Sequence, residues 1–148
     1  MVDSNLLGYW SSLPLDGGGS METDDIAFRA DGTGWTEWSR LGGPFLVTRF
    51  RWRTTDVGRL EIRTQLRLSG SWRIDGPAVA YEVAERETDE TLLRLAYAIG
   101  PAEGAYGAEV TLLEFDEPIA RGTIGSQYAL TERDIGAEGD PTADTDAA

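Results

Sequence analysis

Two stretches in the middle of the chain carry a strict period of two. In 45–53, Leu46, Thr48, Phe50 and Trp52 fall on one side and Arg49, Arg51 and Arg53 on the other. In 59–68, Leu60, Ile62, Thr64, Leu66 and Leu68 alternate with Arg59, Glu61, Arg63, Gln65 and Arg67. That period is the mark of a half-buried strand. Residues 54–58 (Thr-Thr-Asp-Val-Gly) join the two as a hairpin. A one-residue slip would carry the arginines inward, so the alternation specifies the register tightly. A chain with these strands at its centre is expected to build an antiparallel sheet.

The flanks read the same way. Leu6 to Leu13 forms a first strand, ended by Pro14, Asp16 and the glycines at 17–19, which do not propagate one. Residues 25–29 and 35–40 are strands joined at Asp31-Gly32-Thr33-Gly34, where residues tolerant of positive φ suit a tight hairpin. Ser69-Gly70-Ser71 is a bend or bulge before Trp72 and Ile74, and Asp75-Gly76-Pro77 a turn. Ala78 to Glu87 is expected to pair with Thr91 to Ile99 across Thr88-Asp89-Glu90. Helix propensity in 91–98 competes with this, but the short turns on either side favour strand. Ala108 to Phe115 and Ile124 to Arg133 complete the set. From Asp134 the chain is acidic and poor in apolar residues, so 1–133 is read as one domain and 134–148 as a disordered acidic tail.

A meander of about eight to ten short strands removes its exposed edges by closing, which predicts an all-β, closed antiparallel up-and-down barrel. Gly8-Tyr9-Trp10 opening the first strand and the Ile26 to Gly34 hairpin resemble the lipocalin-like, short bacterial members of the calycin superfamily. The resemblance covers roughly residues 6–133 and rests on short motifs. It implies that Gly8 and Trp10 close one end of the barrel and that Arg133 covers the indole. It also implies an interior able to hold a small ligand. The Arg-x-Tyr pair by which fatty-acid-binding members hold a carboxylate is not found, so fatty-acid binding is not implied.

Composition removes many chemistries. Cysteine, histidine and lysine are absent and every one of the 13 basic residues is Arg. Ser-His-Asp and Cys-His nucleophiles and Schiff-base lysines are therefore impossible within this chain, and thiolate or imidazole metal sites are not expected. No cofactor is implied. A net charge of −13 argues against nucleic acid and against anionic membranes. No stretch approaches the roughly 20 apolar residues of a membrane span, and the first residues lack the pattern of a signal peptide, so a cytoplasmic protein is expected.

What remains is shape, hydroxyls, carboxylates and arginine. Thr48, Trp52, Thr64, Tyr81, Tyr97 and Tyr128 fall on inward registers and either fill a core or line a pocket for a hydrophobic small molecule. Glu85 and Glu114 follow apolar registers and, if buried, would serve with Tyr97 as acid–base groups of a cofactor-free cyclase acting on polyketide-like substrates. Between 45 and 75, seven arginines stand against three acids. Arg49, Arg51, Arg53, Arg63 and Arg67 are either a solvated outer face or a docking surface for an acidic partner or a second copy of the chain. Ligand binding, cyclisation and protein interaction all stay open at this point.

Overall fold

The computed structural model describes residues 3–16, 22–40, 43–75, 78–118 and 126–135, with the backbone alone for Asp16, 73–75 and 78–81. The elements run β1 (Gly8–Ser11), α1 (Leu13–Asp16), β2 (Glu22–Phe28), β3 (Thr33–Arg40), β4 (Pro44–Asp56), β5 (Arg59–Asp75), β6 (Ala78–Thr88), β7 (Leu92–Glu103), β8 (Glu109–Phe115) and β9 (Gln127–Glu132). A 3-10 turn at Ala105–Gly107 precedes β8. The nine strands form one antiparallel sheet in the order β4-β3-β2-β1-β9-β8-β7-β5-β6, and β4 also pairs with β5.

The closed up-and-down barrel expected from the sequence is not what these strands build, and the calycin likeness goes with it. In such a barrel each strand pairs with the next one. Here β6 and β7, consecutive in the chain, do not pair. Both run antiparallel along one edge of β5: β7 against its first residues, Arg59↔Ala96 to Arg63↔Leu92, and β6 against its last, Leu66↔Thr88 to Asp75↔Ala78. Among the described residues no strand takes the outer side of β6, so the sheet keeps an open edge. The cause is length. At 17 residues β5 outruns β7, and the excess is covered by β6 alone. Thr88 to Glu90 is thus no hairpin turn. It is a jog between two strands of one direction, pinned where Thr64 N–H donates to Thr91 O (2.9 Å) and Asp89 N–H to Gln65 O (3.1 Å).

A second departure lies inside β5. Arg49 pairs with Leu66 but Phe50 pairs with Thr64, so Gln65 is an extra residue, a bulge. It exchanges the two faces of the strand downstream. Leu60, Ile62 and Thr64 face one side with Phe50 and Trp52. Beyond the bulge Leu66 and Leu68 turn to the other side, and Arg67 comes round opposite Thr48. The unbroken alternation read over 59–68 is corrected at this one position.

The consequence is a sheet with apolar material on both faces. One cluster gathers Trp10, Ile26, Phe28, Phe50, Trp52, Leu60, Ile62, Leu95, Leu113, Phe115 and Tyr128 on one face. A second, on the opposite face of β2–β5, gathers Ala27, Trp35, Phe45, Val47 and Leu68, with Tyr9, Leu66, Trp72 and Ile135 against it. Burying a large apolar side chain contributes about 1.5–3 kcal/mol, so the second cluster is a major part of the fold. Ile135 belongs to it, which extends the packed chain past the expected boundary at 133; residues 136–148 of the expected tail lie outside the described residues.

The ends of the first strand also differ from expectation. β1 is only Gly8–Ser11, and Pro14 sits in the first turn of the short helix α1, where its missing N–H is no loss. Ser11 Oγ accepts from Leu13 N–H at 3.1 Å. The β2–β3 hairpin forms as its residues require. Gly32 takes φ 86°, and Asp31 Oδ1 accepts from Thr33 N–H (2.9 Å) and Oγ1–H (2.5 Å).

Candidate functional site

The inward turn of Arg67 builds the most distinctive polar feature of the molecule. Thr36, Thr48 and Arg67 stand opposite one another across β3, β4 and β5, with Thr36 and Thr48 buried. Thr64 lies next along the same face. Its hydroxyl accepts from Thr91 N–H (2.8 Å) and donates to Thr91 O (3.3 Å), tying β5 to the jog. Arg67 Nη2 donates to Asp89 Oδ2 at 3.0 Å, Arg67 Nη1 lies 3.8 Å from Glu87 Oε1, and Thr91 Oγ1–H donates to Asp89 Oδ1 at 3.0 Å. Thr48, Thr64, Arg67, Asp89 and Thr91 line a cleft of about 400 Å³ with Leu93 and Pro118, at the place where β6 ends and β7 begins.

One donor of its polar lining is in want of an acceptor. Arg67 Nε is shielded from solvent and donates to nothing among the described residues. Away from the cleft, the Trp38 indole N–H and the Tyr128 hydroxyl are also shielded and without a partner among the described residues. The guanidinium charge is already met by Asp89, with Glu87 nearby, so the cleft offers the Arg67 Nε–H as a donor without net positive charge. A buried donor left unpaired costs about 1–3 kcal/mol. A neutral ligand carrying acceptors would remove that cost.

Of the pocket residues selected from the sequence, Thr48 and Thr64 meet in this cleft, joined by Arg67 from the arginine stripe; the other pocket residues that the structure describes are dispersed. Trp52 is buried at the far end of β4. Its Nε1–H lies 3.1 Å from both Arg29 O and Thr33 O, and its ring meets Phe28 edge-on at 5.1 Å, so it anchors the β2–β3 hairpin. Tyr128 packs edge-on against Phe115 at 6.1 Å in the apolar core. Burial, and then the nearby Asp24 and Asp25, push its phenol far above the usual range. Tyr97 is half-buried and donates to Asp3 Oδ2 at 2.5 Å, in a separate surface cleft with Asn5, Thr54 and Asp56. Burial and that bond likewise push it up. The Tyr81 side chain lies outside the described residues.

Glu85 and Glu114 are exposed, and Glu114 Oε2 accepts from Gln127 Nε2–H at 3.3 Å. Neither is the buried acid that the cyclase assignment needed, because the Ala84 bulge of β6 and the outward register of Glu114 on β8 put both in water. Arg67 likewise leaves the arginine stripe, for the Gln65 bulge places it on the opposite face. Gly8, Trp10 and Arg133 do come together. Trp10 Nε1–H donates to Leu6 O (2.9 Å), and the Arg133 guanidinium lies 5.6 Å from the indole centroid while bonding the carbonyls of Asn5 and Leu7. Gly8 runs so close to β9 that a side chain would meet Glu132 O.

Sequence reasoning missed Asp89 and Thr91 and set Arg67 on the opposite face. The acidic and hydroxyl residues at 88–91 were a legible turn signal, but nothing in the alternation marks Gln65 as the residue that is skipped. Among the described residues no group of three or more acidic side chains could hold a metal ion, and no helix is long and apolar enough to cross a membrane. These features define an antiparallel β protein with a mixed polar and apolar cleft at a strand junction. Compared with known protein families, with curated proteins and with solved structures, the chain matches none.

Proposed function

We propose that this protein binds a small, mainly apolar molecule carrying neutral acceptors such as ketone, lactone or amide carbonyls, at the β5–β7 junction cleft. The observation that carries the reading is Arg67. It is turned inward beside Thr48 and Thr64, its charge is met by Asp89, and its shielded Nε–H meets no acceptor among the described residues. A volume of about 400 Å³ lies within the range of small-molecule sites, about 300–1,000 Å³. The chain's net charge of −13 disfavours anionic ligands at the same place. The deep apolar cluster is occupied by its own aromatic side chains, so the ligand is assigned to the cleft and not to the core.

The test uses prodan, a neutral naphthyl ketone whose emission shifts to the blue on leaving water. Saturable 1:1 binding is expected, lost in Thr48→Leu, which fills the cleft, and weakened roughly tenfold in Arg67→Met. Prodan binding that both variants leave unchanged would refute the assignment, as would tighter binding of the anionic anilinonaphthalene sulfonate at the same place.

A further inference from the structure

On the opposite face of the sheet, Arg51 and Arg63 stand directly across from each other on β4 and β5. Both are exposed, and among the described residues neither makes an ion pair. Their neighbours do. Arg53 lies 3.2 Å from Glu61, and Arg94 shares the same carboxylate at 3.6 Å. Asp31, which feels the Arg51 charge, is engaged by Thr33 and lies 3.8 Å from Arg29. Like charges directly opposite in a sheet are destabilising. In a chain with twice as many acids as bases, leaving two guanidiniums face to face is not a by-product of composition.

The pair borders a cleft of about 370 Å³ whose lining also takes in Gly32, Trp52, Arg53 and Glu61. Beside Arg63, in register on β7, Leu92 exposes an apolar side chain. We infer that this face docks an acidic, extended peptide segment of a partner protein, with carboxylates gripped by the Arg51 and Arg63 forks and an apolar residue set on Leu92. Charge complementarity argues the occupant. The patch is basic on an acidic molecule, planar guanidinium suits carboxylate bidentately, and the flanking Asp31 and Glu61 limit the approach of a dense polyanion such as nucleic acid. This inference is independent of the small-molecule cleft, which opens on the other face.

The test is fluorescence anisotropy with a rhodamine-labelled peptide of about ten residues alternating Glu and Leu, against the same peptide with Gln for Glu. Saturable binding tighter than about 100 μM at low salt is expected, weakened by salt. It should fall at least roughly tenfold in the Arg51→Gln/Arg63→Gln double variant and stay within about twofold in Arg40→Gln. The double variant should also melt at the same temperature as the wild type or about 1–3 °C higher, since it relieves the like-charge pair. The inference is overturned by an absence of saturable binding, by equal affinity for the Gln peptide, by equal loss in Arg40→Gln, or by an oligonucleotide binding more tightly through the same arginines.

Discussion

Replacing Tyr128 by Phe should make this protein more stable. The Tyr128 ring is fully buried and packs edge-on against Phe115 at 6.1 Å, and Tyr128→Phe keeps that contact. What it removes is a hydroxyl shielded from solvent and without a hydrogen-bond partner among the described residues. Burying a hydroxyl without compensation costs about 1–3 kcal/mol in mutational data. With some relaxation around the smaller group, a gain of about 1 kcal/mol is expected, or about 3 °C in Tm for a domain of this size. Urea unfolding at neutral pH should show the midpoint rising with the m-value unchanged. In an alkaline titration followed by tyrosinate absorbance, the two proteins should coincide until they unfold, because burial and the adjacent Asp24 and Asp25 keep the Tyr128 phenol protonated. A loss of about 1 kcal/mol or more in Tyr128→Phe would refute the reasoning, for it would mean that the hydroxyl is hydrogen-bonded in solution.

Three further outcomes follow from the geometry. Gly34→Ala should cost about 2–3 kcal/mol in urea unfolding, because an added Cβ would stand 2.3 Å from Ala27 O and 2.5 Å from the Phe50 ring; a neutral effect would mean that β2 and β4 can part there. Arg133→Ala should destabilise by about 1 kcal/mol through the lost bonds to the Asn5 and Leu7 carbonyls and the lost cover of Trp10, and indole emission should change with it. Burial raises the Asp25 carboxyl above its ordinary 3.8, against the hydroxyls of Ser11 and Tyr9, which favour the charged form. The folded state then holds a proton that the unfolded chain releases, so this group's contribution falls as pH rises from about 4 through the folded value. Asp25→Asn should flatten that fall, and parallel stability profiles for wild type and variant between about pH 4 and 7 would contradict it.

How much of this was legible in the sequence depends on the range over which the determining contact acts. The alternation at 50–54 and 59–64 is local, and its faces are those observed: Phe50, Trp52, Leu60 and Ile62 inward, Arg51, Arg53 and Arg63 outward. The Asp31-Gly32 hairpin is likewise set by its own residues. The Gln65 bulge is not local. Leu66 and Leu68 continue the apolar period without a break, and only the second cluster, with Trp35 and Val47 waiting on the other face, gives them a reason to turn. The same holds for β6. Its pairing with β5 beyond Leu66 follows from the length of β5, whereas the sequence at 88–90 reads as an ordinary turn. From the sequence, the candidate site was therefore half visible. Thr48 and Thr64 were on the right face, and Arg67 was assigned to the wrong one.

The position of β1 between β2 and β9 bears on how the chain reaches this state. Residues 8–11 find one neighbour within about 20 positions but must wait for residues 129–132 to supply the other, and Thr131 Oγ1–H reaches back to Tyr9 O at 2.9 Å. Contacts spanning most of the polypeptide form late and slowly. Until they do, one flank of β1 and one of β8 stand bare, a state in which strands from neighbouring molecules can pair. A chain cut before residue 127 should accordingly precipitate instead of yielding a smaller soluble domain.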